Sequence, residues 1–119
     1  MANGKEYFLF VDLNKDEDIK ESINYKDEFL SRSLFQWETP NSTAQSSERG
    51  KNIIFNKERG INLHLFVRKY KEIDRKVQPY IYIGKGDVVK YEGEKPIKVH
   101  IELHNKVPES LYVEFTKKV

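Results

Sequence analysis

The chain of 119 residues and 14.1 kDa has the length of a single domain. Hydrophobic residues make up 38% and charged residues 34%, while the 13% of aromatic residues can still build a small core. The absence of cysteine excludes a disulfide scaffold, a thiolate zinc site and a cysteine nucleophile. No apolar run reaches the roughly 18 residues of a membrane-spanning helix. The first six residues lack the apolar core of a signal peptide, so we expect a cytoplasmic protein with no membrane partner.

The N-terminal third contains one clear strand and one ambiguous segment. Residues 7–13 are apolar, aromatic and β-branched, which predicts a strand buried on most of its surface. Residues 14–28 are polar and predict a connection with room for a turn of helix. Residues 29–38 fit a short helix and a strand equally well, and the pattern does not decide between them.

The middle of the chain predicts a loop and then a helix. Residues 39–47 are small and polar, as in a loop without apolar content. Residues 47–58 predict a helix that Ser47 caps and Gly60 closes, although Gly50 disfavours it.

From residue 61 onward, apolar and polar residues alternate in the way that is typical of half-buried strands. Turn residues separate these runs at short intervals, which favours an antiparallel barrel or sandwich. The fold class predicted is therefore mainly β (α+β), a small antiparallel barrel or sandwich with one or two short helices. The predicted strands are 61–70, 80–83, 88–91, 97–104 and 111–115, with turns at 84–87 and 92–94.

The net charge of +2 hides an asymmetry along the chain. Residues 1–28 hold four lysines against eight acidic residues, so their net charge is −4 and that of the remainder is +6. The densest basic stretch, residues 68–76, has five basic and two acidic residues. A basic body is compatible with phosphate contact through one face, but a solvated surface of mixed charge explains the composition equally well.

The residue types of common catalytic and metal sites are present without the required arrangement. His100 and His104 share the face of one predicted strand but lie roughly 13 Å apart along it, so the two cannot hold one metal ion from that strand. Gly84 and Gly86 precede a predicted strand rather than a helix, which argues against a nucleotide-binding loop. Nothing marks a nucleophile elbow or an oxyanion hole. We therefore expect no metal, no cofactor and no enzymatic activity.

One polar segment, residues 35–43, stands out because it contains the only tryptophan. Trp37 offers a large flat face and one hydrogen-bond donor, and the residues around it have the amide and hydroxyl groups that read base edges or phosphates. A core tryptophan followed by a capping loop explains the same pattern, and the sequence leaves both interpretations open.

The chain resembles, over about residues 7–115, an uncharacterised bacterial domain found C-terminal to DEAD/DEAH-type helicase cores, often in proteins with a phospholipase-D-like nuclease domain. The resemblance rests on several spaced elements that occur in order. These are Tyr25-Lys26-Asp27, Ser31-Arg32-Ser33-Leu34-Phe35-Gln36-Trp37-Glu38, Asn41-Ser42-Thr43, Ser46 and Gly50, then Leu63-His64-Leu65-Phe66-Val67-Arg68, Pro79-Tyr80-Ile81-Tyr82-Ile83-Gly84 and Gly93-Glu94-Lys95-Pro96-Ile97.

The resemblance implies that residues 1–119 form one domain, excised from the C-terminus of a larger helicase–nuclease of a restriction or phage-defence system. In such a protein an appended β-module is expected to recognise the DNA to be attacked. By analogy with modification-dependent restriction enzymes, it would be similar to the PUA and SRA barrels, which hold a modified or flipped base between aromatic side chains.

We therefore expect a non-catalytic module that binds DNA, double-stranded and plain or modified, with helicase and nuclease domains in the same polypeptide. The alternative is a protein–protein interaction or scaffolding domain that regulates the helicase through an exposed aromatic edge. The expected phosphate contacts are Arg32, Arg49, Lys51, Arg68, Lys69, Lys85 and Lys90; the expected base-reading residues are Gln36, Asn41, Ser42 and Thr43; and the expected aromatic pocket is Tyr25, Trp37 and Tyr82.

Overall fold

The computed structural model describes residues 6–14 and 27–116. Most of these residues lie in strands. The elements, in chain order, are β1 (Glu6–Asn14), β2 (Glu28–Ser31), β3 (Leu34–Glu38), α1 (Glu48–Ile54), β4 (Asn62–Tyr70), β5 (Glu72–Ile73), β6 (Lys76–Val77), β7 (Ile81–Glu92), β8 (Lys98–Leu103) and α2 (Glu109–Thr116).

Six of the strands form one curled sheet, a half-barrel, in the order β1-β4-β7-β8-β3-β2. Strands β1 and β4 pair in parallel, whereas the other four pairs of the sheet are antiparallel. The small β5–β6 hairpin lies in the connection between the end of β4 and the start of β7. The prediction of a mainly β domain with one or two short helices is thus confirmed. The parallel pair of β1 and β4 was not indicated by the sequence.

One face of the sheet forms the core. Strand β4 shows this most clearly, since Leu63, Leu65 and Val67 are almost fully buried while the residues between them point the other way. Helix α1 contributes Ile53 to this core and α2 contributes Phe115. Both helices therefore cover the inner face of the half-barrel.

The ambiguous segment 29–38 is a hairpin rather than a helix. Strands β2 and β3 pair around a turn at residues 32–33, and the ring of Phe29 packs edge-on against Phe35 at 4.8 Å between centroids. Phe35 is fully buried. Local propensity did not decide between helix and strand for this segment, and the packing of these two rings on the sheet favours the strand.

The predicted turn at residues 84–87 is wrong, because β7 runs through it as one continuous strand with two bulges. The glycine at position 86 serves close packing instead of a turn. A Cβ atom there would lie 2.5 Å from Cγ2 of Ile101 and 2.8 Å from the carbonyl oxygen of Glu102. The sequence gives no means to distinguish a glycine that admits a neighbouring strand from one that reverses the chain.

The predicted strand at residues 111–115 is also wrong, since these residues belong to α2. Leu111 and Phe115 are four residues apart and share one face of a helix, just as they would share one face of a strand. Both pack on the core. No helix among the described residues is long and apolar enough to cross a membrane.

Candidate functional site

A groove of about 330 Å³ lies alongside β1, at residues 6–10. Across from β1 it is lined by Trp37 of β3 and by Pro40, and α1 contributes Arg49 and Ile53. Strand β1 is the first strand of the curled sheet and β3 lies near its other margin, so the groove lies at the open seam of the half-barrel. The structure thus brings together Trp37 and Arg49, which the sequence singled out separately.

The walls of this groove are held by contacts on its inner side. Trp37 lies opposite Val99 of β8 and packs, half-buried, against the core. Helix α1 is joined to β1 because Nδ2 of Asn52 donates a hydrogen bond to the hydroxyl of Tyr7 at 2.8 Å. An indole face, aromatic side chains from β1 and a guanidinium group therefore surround one space, which suits a planar group with hydrogen-bond acceptors.

The loop that follows Trp37 divides into exposed and structural residues. Asn41 and Ser42 are exposed, next to Pro40 at the margin of the groove. Thr43 is buried; its amide donates to the carbonyl of Pro40 and its own carbonyl accepts from Lys95. Of the four residues predicted to read a base, three lie in this loop: Asn41 and Ser42 are at the surface and Thr43 anchors the loop.

A second, polar pocket of about 230 Å³ gathers Gln36, Lys90, Glu92, Lys98 and His100. Because neighbouring residues of a strand point to opposite faces, Gln36 lies on the outer face of the sheet and Trp37 on the inner face. Nε2 of His100 lies 3.2 Å from Oε1 of Gln36, and Nζ of Lys98 lies 3.5 Å from Oε2 of Glu92. Gln36 and Lys90 thus come together, apart from Trp37.

Arg68 is engaged within the protein. It is only 8% exposed, its Nε donates to Oδ1 of Asp12 at 2.6 Å and its Nη1 donates to the carbonyl of Gln78 at 2.8 Å. Its guanidinium also lies 4.1 Å from the centre of the Tyr80 ring. The bond to Asp12 raises the pKa of Arg68 above its usual value. These contacts favour a structural role over the expected phosphate contact.

The remaining predicted cations are distributed over several elements rather than gathered on one face. Nε of Arg32 donates to the carbonyl of Val107 at 2.8 Å, which ties the β2–β3 turn to the chain before α2. Lys51 is exposed on α1 and Lys85 is exposed on β7. Lys69 lies at the end of β4, with Nζ 5.7 Å from the centre of the neighbouring Tyr70 ring.

The expected aromatic pocket is not assembled from the residues that can be placed. Tyr25 lies outside the described residues. Tyr82 is opposite Phe66 on the outer face of the sheet, whereas Trp37 lies over the inner face. Tyr82 and Trp37 therefore belong to different surfaces.

The outer face of β1, β4 and β7 carries an aromatic surface that the sequence analysis missed. The centres of its neighbouring rings are 4.8 to 6.1 Å apart. Three of the rings are about half exposed: Phe8 at 55%, Phe10 at 57% and Tyr82 at 52%. The prediction that β1 is buried on most of its surface is therefore wrong. Phe8 and Phe10 alternate with Leu9 and Val11, and this alternation could have indicated that the two pairs lie on opposite faces of β1. We call this surface the aromatic face; it consists of Phe8, Phe10, Phe66, Tyr80 and Tyr82.

His64 lies at one end of the aromatic face, between a carboxylate and a phenol. Its Nε2 donates to Oε1 of Glu6 at 2.6 Å and its Nδ1 is 2.9 Å from the hydroxyl of Tyr82. The ring of Phe8 stacks on the imidazole at 5.0 Å between centroids. The hydrogen bond from His64 and, to a smaller extent, the one from Asn62 lower the pKa of Glu6. These hydrogen bonds stabilise the carboxylate form of Glu6 and occupy its two oxygens.

The other two histidines have separate partners. His104 lies 3.0 Å from Oδ2 of Asp87, whose Oδ1 accepts a hydrogen bond from the buried Asn56. His100 contacts Gln36, as described above. Within residues 6–14 and 27–116, no three or more histidine, aspartate and glutamate side chains are grouped as they would be around a metal ion.

The comparisons with known proteins give a family without an activity. The family model described as "Domain of unknown function (DUF3427)" matches residues 1–115. No curated protein matches the chain.

Proposed function

Since the chain belongs to the DUF3427 family, whose description states no function, we propose from its own residues that it is a non-catalytic module that binds duplex DNA, plain or modified. The proposal includes a cytoplasmic location and, in the same polypeptide, the helicase and nuclease domains of a restriction or phage-defence protein. The observation that carries it is the groove at the edge of β1, where Trp37 and Arg49 meet the aromatic side chains of that strand.

The groove has the size and lining for one extruded base. Its volume of about 330 Å³ is at the small end of ligand pockets, which span roughly 300–1,000 Å³. Extruding a base from a duplex costs a few kcal/mol, and stacking on an aromatic side chain returns about 1–3 kcal/mol. Stacking on Trp37 therefore offsets much of the cost, and a base that leaves the duplex easily is preferred.

Polar and charged groups at the margin would orient the DNA. The planar guanidinium of Arg49 can donate two parallel hydrogen bonds to a phosphate or to the edge of a base. Asn41 and Ser42 are exposed beside the groove and can read the base or its modification. Lys51 of α1 is also exposed and would add a phosphate contact that weakens with salt.

Fluorescence anisotropy with labelled duplexes tests the proposal. Matched duplexes, one unmodified and others with modified bases, are titrated at two salt concentrations with the unaltered chain, Trp37→Ala and Arg49→Ala. We expect binding that weakens with salt, a loss of about tenfold with Trp37→Ala on the preferred duplex, and a shallower salt dependence with Arg49→Ala. The matched control is Lys57→Ala, an exposed cation that does not line the groove; it should leave the preference between duplexes unchanged.

Failure to bind any duplex at low salt would contradict the proposal and favour the interaction-domain alternative. That alternative is supported by β1, which pairs only with β4 among the described residues and so leaves its other edge open. Open edges are where extended segments of partner proteins add a strand.

A further inference from the structure

The aromatic face lies on the outer side of the sheet, meets the groove at Phe8 and Phe10, which line both, and has no covering element among the described residues. Both helices pack on the inner face of the sheet, and the aromatic face lies on the outer one. Three of its rings are about half exposed, although exposed rings at this density are unusual on a protein that has no partner. The surface therefore points to a ligand that uses ring faces.

The spacing of the rings indicates the form of that ligand. Phe8 and Phe10 are two residues apart on a strand, so their side chains emerge roughly 7 Å apart. This distance is about twice the 3.4 Å between successive nucleotides of one strand in duplex DNA. In a duplex, moreover, the face of each base is covered by the neighbouring bases. Only the separated bases of an extended single strand could stack on these rings in succession.

The charges around the aromatic face favour a polyanion over a basic or apolar partner. Its two carboxylates are already engaged, Glu6 by His64 and Asp12 by Arg68. Beyond Tyr80, the β5–β6 hairpin and its flanks carry four cations against two acidic residues, and Lys85 lies at the opposite end, paired with His64 in the sheet. The hairpin cations are Lys69, Lys71, Arg75 and Lys76; the acidic residues are Glu72 and Asp74.

We propose that the aromatic face binds single-stranded DNA, with bases stacked on Phe8, Phe10 and Tyr82 and the backbone passing between Lys85 and the β5–β6 hairpin. The inference extends the proposed function by adding a second form of DNA at a second site. Phe8 and Phe10 also line the groove, whereas Tyr82 does not, so variants of Tyr82 and of Trp37 separate the two sites.

The test is anisotropy of a labelled oligothymidine at low salt, with Phe10→Ala and Tyr82→Ala compared with the unaltered chain. We expect each variant to lose about tenfold in affinity, whereas Tyr82→Phe, which keeps the ring, retains it. The matched control is Val89→Ala, because Val89 is also 57% exposed on β7 but lies outside the aromatic face. Trp37→Ala, which alters the groove on the side across from β1 and removes no charge, should leave the affinity for oligothymidine unchanged.

Two results would overturn this inference. One is unchanged affinity for oligothymidine in Phe10→Ala and Tyr82→Ala, with melting temperatures showing that both variants are folded. The other is no affinity of the unaltered chain for oligothymidine, which would leave a protein partner as the occupant of the face. Binding of modified duplex is measured in parallel with Tyr82→Ala, which leaves the lining of the groove intact, so that the failure of this site and the failure of the groove are distinguished.

Discussion

Arg68 illustrates that the position of a residue in the sequence does not determine its role. It belongs to the densest basic stretch, which suggested a phosphate contact, yet its donors are used by Asp12 and by the backbone of Gln78. A single arginine in a strand gives no signal of whether an aspartate from another strand will lie opposite. That information arises only when β1 and β4 pair in parallel and place Asp12 beside Arg68.

Replacing Arg68 by alanine is expected to lower the free energy of unfolding by about 2–4 kcal/mol, because Asp12 would remain partly buried without its partner. Denaturation in urea measures the change. The control is Lys71→Ala, an exposed cation three residues away, which should alter stability little. If Arg68→Ala were as stable as the unaltered chain but bound DNA with a reduced salt dependence, the structural role would be refuted.

Asp27 predicts a pH dependence of stability. It is largely buried, and desolvation raises the pKa of its carboxyl to about 6, although the amide of Glu38 donates a hydrogen bond to it at 2.8 Å. Between its ordinary pKa and about 6, the folded state binds more protons than the unfolded state. The free energy of unfolding therefore falls as the pH rises through this range.

Asp27→Asn removes the charge and keeps the acceptor oxygen. We expect the variant to be more stable than the unaltered chain at pH 8 by about 1–2 kcal/mol, and to have no such advantage at pH 4. Chemical denaturation of both proteins at the two pH values measures this difference. A difference that is equal at pH 4 and pH 8 would show that Asp27 titrates normally in the folded chain.

At the scale of elements, local sequence signals correctly predicted the features that local interactions determine, such as the N-terminal cap of α1. Ser47 caps α1 as expected, since its Oγ accepts a hydrogen bond from the amide of Gly50 at 3.0 Å. Gly50, which disfavoured the helix, is required by packing, because a Cβ atom there would clash with the carbonyl oxygen of Ala44. The turn predicted at residues 84–87 and the strand predicted at residues 111–115 are wrong, because the structure of both segments depends on neighbours that are distant in sequence.

Loss of the cap should affect both the helix and the groove. We expect Ser47→Ala to cost about 1 kcal/mol in the free energy of unfolding, and to weaken duplex binding because α1 carries Arg49. Thermal denaturation and anisotropy on the same variant measure the two effects. Ser46→Ala is the matched control, since Ser46 is exposed and precedes the cap; an equal loss in both variants would contradict a capping role for Ser47.

At the scale of the whole molecule, the curl of the sheet creates the candidate site. Residues from β1, β3 and α1 line one groove because the two margins of the half-barrel approach each other around α1. The sequence indicated Trp37 and Arg49 by residue type, but the aromatic residues of β1 that face them could not be assigned. Which strands become neighbours is set by long-range pairing, and a single sequence does not reveal it.

The most direct test of the account uses the intrinsic fluorescence of Trp37, which is the only tryptophan in the chain and lines the groove. The chain is titrated with a duplex that carries one modified base and, separately, with the same duplex unmodified, while anisotropy of the labelled DNA is recorded in parallel. We expect a saturable change in Trp37 emission that follows the anisotropy, weakens with salt and is greater for the preferred duplex. A rise in anisotropy with no change in Trp37 emission would show that DNA binds elsewhere on the molecule and would contradict the groove as the site of recognition.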